Sequence, residues 1–178
     1  MKKEYHTFDR PYHLFGDKQS TYWAESYVVF LDGKLFCHTV YAAVVVDLKG
    51  EYEELNGHRI YVDNFKDIMY DGKNKEATFT FDTETSTVSK DDKTVSVHKL
   101  TEDEIKDVSK RLNVVADYIN HAPNPVTNIG LDFNIVKARK FPYGKVKIKF
   151  LGKNRPVVMQ GFVHENESFV VMPFYTGP

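Results

Sequence analysis

The residues of this chain best equipped to do chemistry are cations. Lys137, Arg139, Lys140, Lys145, Lys147, Lys149, Lys153 and Arg155 fall in one stretch that holds no acid. Such a run can neutralise phosphates through contacts that are electrostatic, indifferent to base sequence and weakened by salt. The competing reading is a solvated strand face that balances acids elsewhere, among them Glu51, Glu53, Glu54, Glu102, Asp103 and Glu104. The chain carries 24 Lys and Arg against 25 Asp and Glu, a formal charge of −1. Any attraction to nucleic acid must therefore come from one local face rather than from the whole molecule.

Nucleophiles and metal ligands are sparse. Cys37 is the only cysteine, which excludes an internal disulfide framework and a cysteine-based metal site, and it lies in an apolar run where a small core residue is expected. Adjacent strand residues point to opposite faces, so Cys37 and His38 cannot form a nucleophile–base pair. His6 and His13 have no third ligand at matching spacing. Hydrolase, zinc-protease, phosphate-loop and dinucleotide signatures are all missing. The expectation is a protein that is not an enzyme and needs no cofactor or metal. A small-molecule enzyme or binder assembled from distant residues stays open as an alternative.

Positioning these residues requires a folded core, and 178 residues with 42% hydrophobic and 14% aromatic content supply one. Residues 1–20 are polar and aromatic, expected as an N-terminal arm or edge segment. An apolar β-branched run at 27–31 precedes Asp32-Gly33, a hairpin turn because both residues tolerate positive φ. Residues 35–48 continue as one bent strand or two, with Ala42-Ala43 as the expected bend. A strand at 59–62 leads to Asp63, the expected N-cap of a helix whose Phe65, Ile68 and Met69 share one face. Alternating strands follow at 77–81, 86–89 and 94–98. Thr101 and Glu104 form a capping-box pattern at the start of a long helix with a seam of Ile105, Val108, Leu112, Val115 and Ile119. Pro123 and Pro125 end it. A short helix is expected over 129–141, then strands at 145–151, 156–162 and 168–174.

The predicted class is α+β, with two helix-plus-meander units in mainly antiparallel sheets. On three stretches the chain resembles the DNA sliding-clamp family, the processivity factors of DNA polymerases. Tyr27-Val28-Val29-Phe30-Leu31-Asp32-Gly33-Lys34-Leu35 looks like a clamp hairpin, and Arg59-Ile60-Tyr61-Val62-Asp63-Asn64-Phe65-Lys66-Asp67-Ile68 looks like a strand entering a clamp helix. Pro156-Val157-Val158-Met159 with Ser168-Phe169-Val170-Val171-Met172-Pro173-Phe174 is similar to the end of bacterial clamps.

The resemblance implies repeated β-α-β-β-β units over residues 21–178, in halves of about 21–100 and 101–178. It implies a non-enzymatic role in DNA replication, with DNA polymerase or other replication proteins as partners, double-stranded DNA as a second partner, and a homo-oligomer. Lys137, Arg139 and Lys140 would face DNA. Val171, Met172, Pro173 and Phe174 would border a partner-peptide pocket. A stand-alone interaction or regulatory domain with no DNA role is the alternative on the same architecture. Met1-Lys2-Lys3-Glu4-Tyr5-His6 carries no apolar leader and no run approaches a membrane span, so a cytoplasmic protein is expected.

Overall fold

The turn at Asp32-Gly33, both at positive φ (53° and 67°), joins strands β2 (Tyr27–Leu31) and β3 (Lys34–His38) and sets the register of everything beside them. The computed structural model describes residues 1–123, 146–152, 155–161 and 166–172. Strand β1 is Lys2–His6; β4 is Ala42–Asp47, β5 His58–Tyr61, β6 Thr78–Asp82, β7 Thr87–Lys90, β8 Lys93–Ser96 and β9 His98–Lys99. After the long helix come β10 (Val146–Phe150), β11 (Val157–Gly161) and β12 (Glu167–Val171).

These strands make two antiparallel sheets. Eight strands run in the order β10-β11-β12-β4-β3-β2-β5-β9, and four in the order β1-β6-β7-β8. The large sheet is closed across its middle by β12 on β4, where Phe169 stands opposite Val44 and Val171 opposite Ala42. The break between β3 and β4 falls at Thr39-Val40-Tyr41, just ahead of the expected Ala42-Ala43 bend.

Both faces of the large sheet are covered, which explains why β2 is apolar without alternation. Val28 and Phe30 face the main core, with Leu35, Cys37, Val44, Phe169 and Val171. Phe79 and Phe81 of the small sheet meet them there, so this core lies between the two sheets. The short helix α1 (Val62–Asn64) widens into a π-type turn, Phe65–Met69, and inserts Phe65, Ile68 and Met69 into the same core. Its N-cap is Tyr61, with no side-chain capping bond, rather than Asp63. Three buried apolar side chains hold this helix where an Asx cap would have been worth about 1 kcal/mol.

The N-terminal residues are tied into this arrangement. Strand β1 pairs with β6, and Lys3 and Tyr5 both bond the Glu54 carboxylate. Phe8, Tyr12 and Phe15 then enter the main core. Cys37 is buried, its thiol donating to the Tyr12 carbonyl at 3.0 Å.

The opposite sheet face carries helix α2 (Glu102–Asn120). Thr101 and Glu104 make the reciprocal capping box, and Glu104 also pairs with Arg59, whose guanidinium lies 4.5 Å from the Trp23 ring. The expected seam packs on Val29, Leu31, Phe36, Ala43 and Val45. Further along, Val115, Tyr118 and Ile119 reach Leu151, Val158 and Val170. The element order β5-α1-β6-β7-β8 is matched by β9-α2-β10-β11-β12 among the described residues. The short helix expected over 129–141 lies outside them. No described helix is long and apolar enough to cross a membrane.

Candidate functional site

Between α2 and the turn that joins β3 to β4, a groove of about 440 Å³ opens along the helix flank. Phe36, Ala43 and Val170 form the floor, contributed by the three neighbouring strands β3, β4 and β12. Val114, Val115 and Tyr118 of α2 make one wall; the turn Thr39-Val40-Tyr41 and Met172 make the other. The Met172 amide donates to the Tyr41 carbonyl at 3.0 Å and fixes that second wall.

Six large apolar residues are strongly exposed among those described, and four of them rim this groove: Val40 (68%), Tyr41 (61%), Val114 (46%) and Met172 (43%). Scattered exposed apolar residues need no explanation, but their concentration around one concavity sets this surface apart from the rest of the described residues. A second depression, lined by Val114, Tyr118, His121 and Arg155, shares two residues with the first and extends it toward the end of α2.

The other end of the groove is polar. His38 is buried there, and desolvation holds its imidazole below the usual histidine range, so the ring is neutral at pH 7. Its Nδ1 stands 3.9 Å from a Glu25 oxygen, too far for a hydrogen bond, and its Nε2 has no partner among the described residues. Glu25 accepts instead from the Ser20 hydroxyl at 2.5 Å. Arg111 lies over the Tyr22 ring at 4.1 Å and pairs with Asp107 at 3.6 Å, while the Tyr22 hydroxyl donates to the same carboxylate. Lys110 also lines the groove, exposed and in no ion pair among the described residues.

The residues singled out in sequence separate. Met172 lines the groove. Val171 is fully buried and faces the opposite core, whereas its neighbour Val170 forms part of the floor. The period of two along a strand places Val170 and Met172 on one face and Val171 on the other. Pro173 and Phe174 lie outside the described residues, as do Lys137, Arg139 and Lys140. Val114 and Tyr118, four apart on α2 and just off its seam, form a second apolar stripe that the sequence showed but the seam obscured. Lys149, from the basic run, is half-buried and donates to the Ile119 carbonyl at 2.6 Å. Among the described residues no group of three or more His, Cys, Asp or Glu side chains could hold a metal ion.

No family model matches the chain, and no curated protein matches it in sequence. Solved structures do match it in fold. A candidate DNA polymerase III β subunit from Eubacterium rectale aligns with 100% of the chain at a TM-score of 0.59 and 12% identity. The DNA polymerase III β subunit of Pseudomonas aeruginosa aligns with 97% at a TM-score of 0.57 and 7% identity. The Helicobacter pylori β clamp, solved bound to a DNA ligase peptide, aligns with 100% at 0.56 and 12%. The class is therefore α+β with mostly antiparallel sheets. The particular fold is that of DNA polymerase III β clamps, and the chain spans only about two thirds of their length, 66% for the first two and 68% for the third.

Proposed function

We propose that this chain is a clamp-like docking protein, not an enzyme, that seats a peptide of a partner protein in the groove beside α2. The observation that carries this reading is the rim of four exposed apolar side chains around a preformed concavity. Apolar anchors in such a groove supply most of a peptide's binding energy. The H. pylori clamp of similar fold binds a DNA ligase peptide, which makes DNA polymerase and other replication proteins the first partners to examine here. Met172 is the groove residue at the closing strand, and Val171 supports it from the core; Pro173 and Phe174, which follow in sequence, are proposed with them as partner-peptide residues.

Contact with duplex DNA through Lys137, Arg139 and Lys140, in a homo-oligomer, is the second part of the proposal. An interaction module without DNA is the competing reading, and one observation favours it. Helix α2 carries five acids (Glu102, Asp103, Glu104, Asp107, Asp117) against three bases (Lys106, Lys110, Arg111), a poor surface for phosphates.

The docking role is tested by selecting peptides from a displayed random library and measuring their affinity by fluorescence anisotropy. Met172→Asp and Val114→Asp, both at exposed positions, should abolish binding with little change in melting temperature. Selected peptides that bind both variants as tightly as the parent would overturn the assignment of the groove.

A further inference from the structure

We infer that Asn56 is a site of spontaneous deamidation, and that the corner between β2, β5 and β9 holds it shut in the native fold. Asn56 is the only asparagine of the chain followed by glycine, and it is exposed. Glycine has no Cβ to shield its backbone nitrogen, so an Asn-Gly pair is the most reactive setting for this thermolabile residue. The Gly57 nitrogen attacks Cγ of Asn56. The N–Cγ bond forms, the Cγ–Nδ2 bond breaks, and ammonia leaves with the peptide proton. Water then opens the cyclic imide at either carbonyl and leaves aspartate or isoaspartate. No co-reactant other than water is needed.

The groups that ring closure must move are held by hydrogen bonds. The Gly57 amide donates to the Phe30 carbonyl at 2.8 Å, so the proton of the nucleophile is engaged. The Gly57 carbonyl accepts from the Leu100 amide at 2.8 Å. The Asn56 amide donates to the Glu53 carbonyl at 3.0 Å, and its side-chain oxygen accepts from the Gly33 amide at 3.3 Å. Nδ1 of His58 lies 3.2 Å from the Asn56 carbonyl; a carbonyl only accepts, so that nitrogen carries the ring proton. Closure needs the Gly57 nitrogen on the same side as Cβ of Asn56, and the extended backbone there (ψ 134°) turns it away. Rotating the peptide into place breaks the bonds to Phe30 and Leu100. The reaction therefore runs from the opened corner, at a rate set by the open population.

The product matters because this corner meets α2. Leu100 precedes Thr101, the N-cap of α2, and Leu55 ahead of Asn56 is buried in the main core. Isoaspartate adds a methylene carbon to the main chain between Leu55 and Gly57, so Gly57 no longer reaches Phe30 and Leu100 together. The new carboxylate also joins Glu51 and Glu53, which line the same crease. A chain that has opened and reacted refolds with a looser corner.

The test incubates the full chain at mildly alkaline pH, native and in denaturing urea, and maps isoaspartate and aspartate by peptide mass spectrometry. In urea Asn56 should convert ahead of every other asparagine. In the native protein it should convert about a hundredfold more slowly, or slower still. His58→Ala, which removes the ring bond to the Asn56 carbonyl, should raise the native rate severalfold and leave the urea rate unchanged. Protein converted in urea and refolded should exchange the Leu100 amide proton faster than the parent. A native rate equal to the rate in urea would overturn the guard, and another asparagine reacting first would overturn the site. An unchanged native rate in His58→Ala, or unchanged exchange at Leu100 after conversion, would show that this corner is not the gate. Should His58→Ala fail to fold, the ratio of native to urea rates in the parent decides alone.

Discussion

The ammonium of Lys149 donates to the carbonyl of Ile119 at 2.6 Å, so a strand from the far side of the chain closes the C-terminus of α2. The last turn of this helix has no basic residue of its own. Lys149 supplies both a donor for an orphan carbonyl and a positive charge at the negative end of the helix dipole. Lys149→Met should keep the packing of the stem and cost about 1 kcal/mol, read as a lowered denaturation midpoint with an unchanged slope. An unaffected midpoint would show that water satisfies Ile119 equally well.

Tyr12 and Glu167 form another long-range polar tie, a hydroxyl donating to a buried carboxylate at 2.5 Å. Burial raises the Glu167 carboxyl above its ordinary value of 4.5, although the Tyr12 hydrogen bond opposes the rise. With a folded pKa above the unfolded one, the native state holds this proton more tightly. Stability linked to Glu167 is therefore full below about pH 4.5 and declines as pH rises through the folded value. Tyr12→Phe should cost about 1–3 kcal/mol at neutral pH and less near pH 4, where the carboxyl is protonated. Urea melts at the two pH values measure this, and a loss equal at both would refute it.

His13 has the opposite sign. Burial pushes its imidazole down to about 4 from 6.5, with Lys66 adding to the effect. The unfolded chain thus takes up this proton first, so the associated stability is present above pH 6.5 and is lost as pH falls toward 4. The ring is only partly buried, which limits the contribution to about 1 kcal/mol. His13→Gln should flatten the stability profile between pH 6.5 and 4. A profile of unchanged slope would place the titration elsewhere.

Gly16 is held by close approach. A Cβ built there would stand 2.2 Å from Cγ1 of Val62, a buried side chain at the start of α1. Gly16→Ala should therefore destabilise the fold by about 1–3 kcal/mol through overpacking. Pairing it with Val62→Ala should recover part of that loss, because the clashing methyl is gone. Additive losses in the double-mutant cycle would exclude the contact as the cause.

Elements specified by local chemistry were legible in the sequence. Thr101 and Glu104 announced α2, its seam announced the covered face, and Asp32-Gly33 announced the hairpin. The pairing of β12 with β4 was not legible, because Phe169 and Val44 are far apart in the chain and any two apolar strands offer a similar register. The lining of the groove beside α2 was only partly legible. Met172 was singled out from the closing strand and lines the groove, whereas Val40, Tyr41 and Val114 come beside it only through long-range packing. His38 gave no local sign of an unmatched nitrogen, since Tyr22 and Glu25 reach it from an earlier segment while only Phe36 comes from its own strand.

The DNA part of the proposal is decided by salt dependence. If Lys137, Arg139 and Lys140 each neutralise one phosphate of a duplex, binding should weaken steeply with salt, and replacing all three by alanine should make the dependence shallower. Three lost phosphate contacts reduce the slope of log K against log salt by about 2.7. Retention of a labelled 30-base-pair duplex, measured from low to moderate salt for both proteins, gives that difference directly. A parent protein that shows no retention at low salt would remove the DNA role and leave the interaction module. Retention with an unchanged slope in the triple variant would move the contact to other cations, of which Lys145, Lys147 and Lys153 are the nearest in sequence. Lys149 is already engaged at the end of α2, so its replacement should alter stability more than the salt slope.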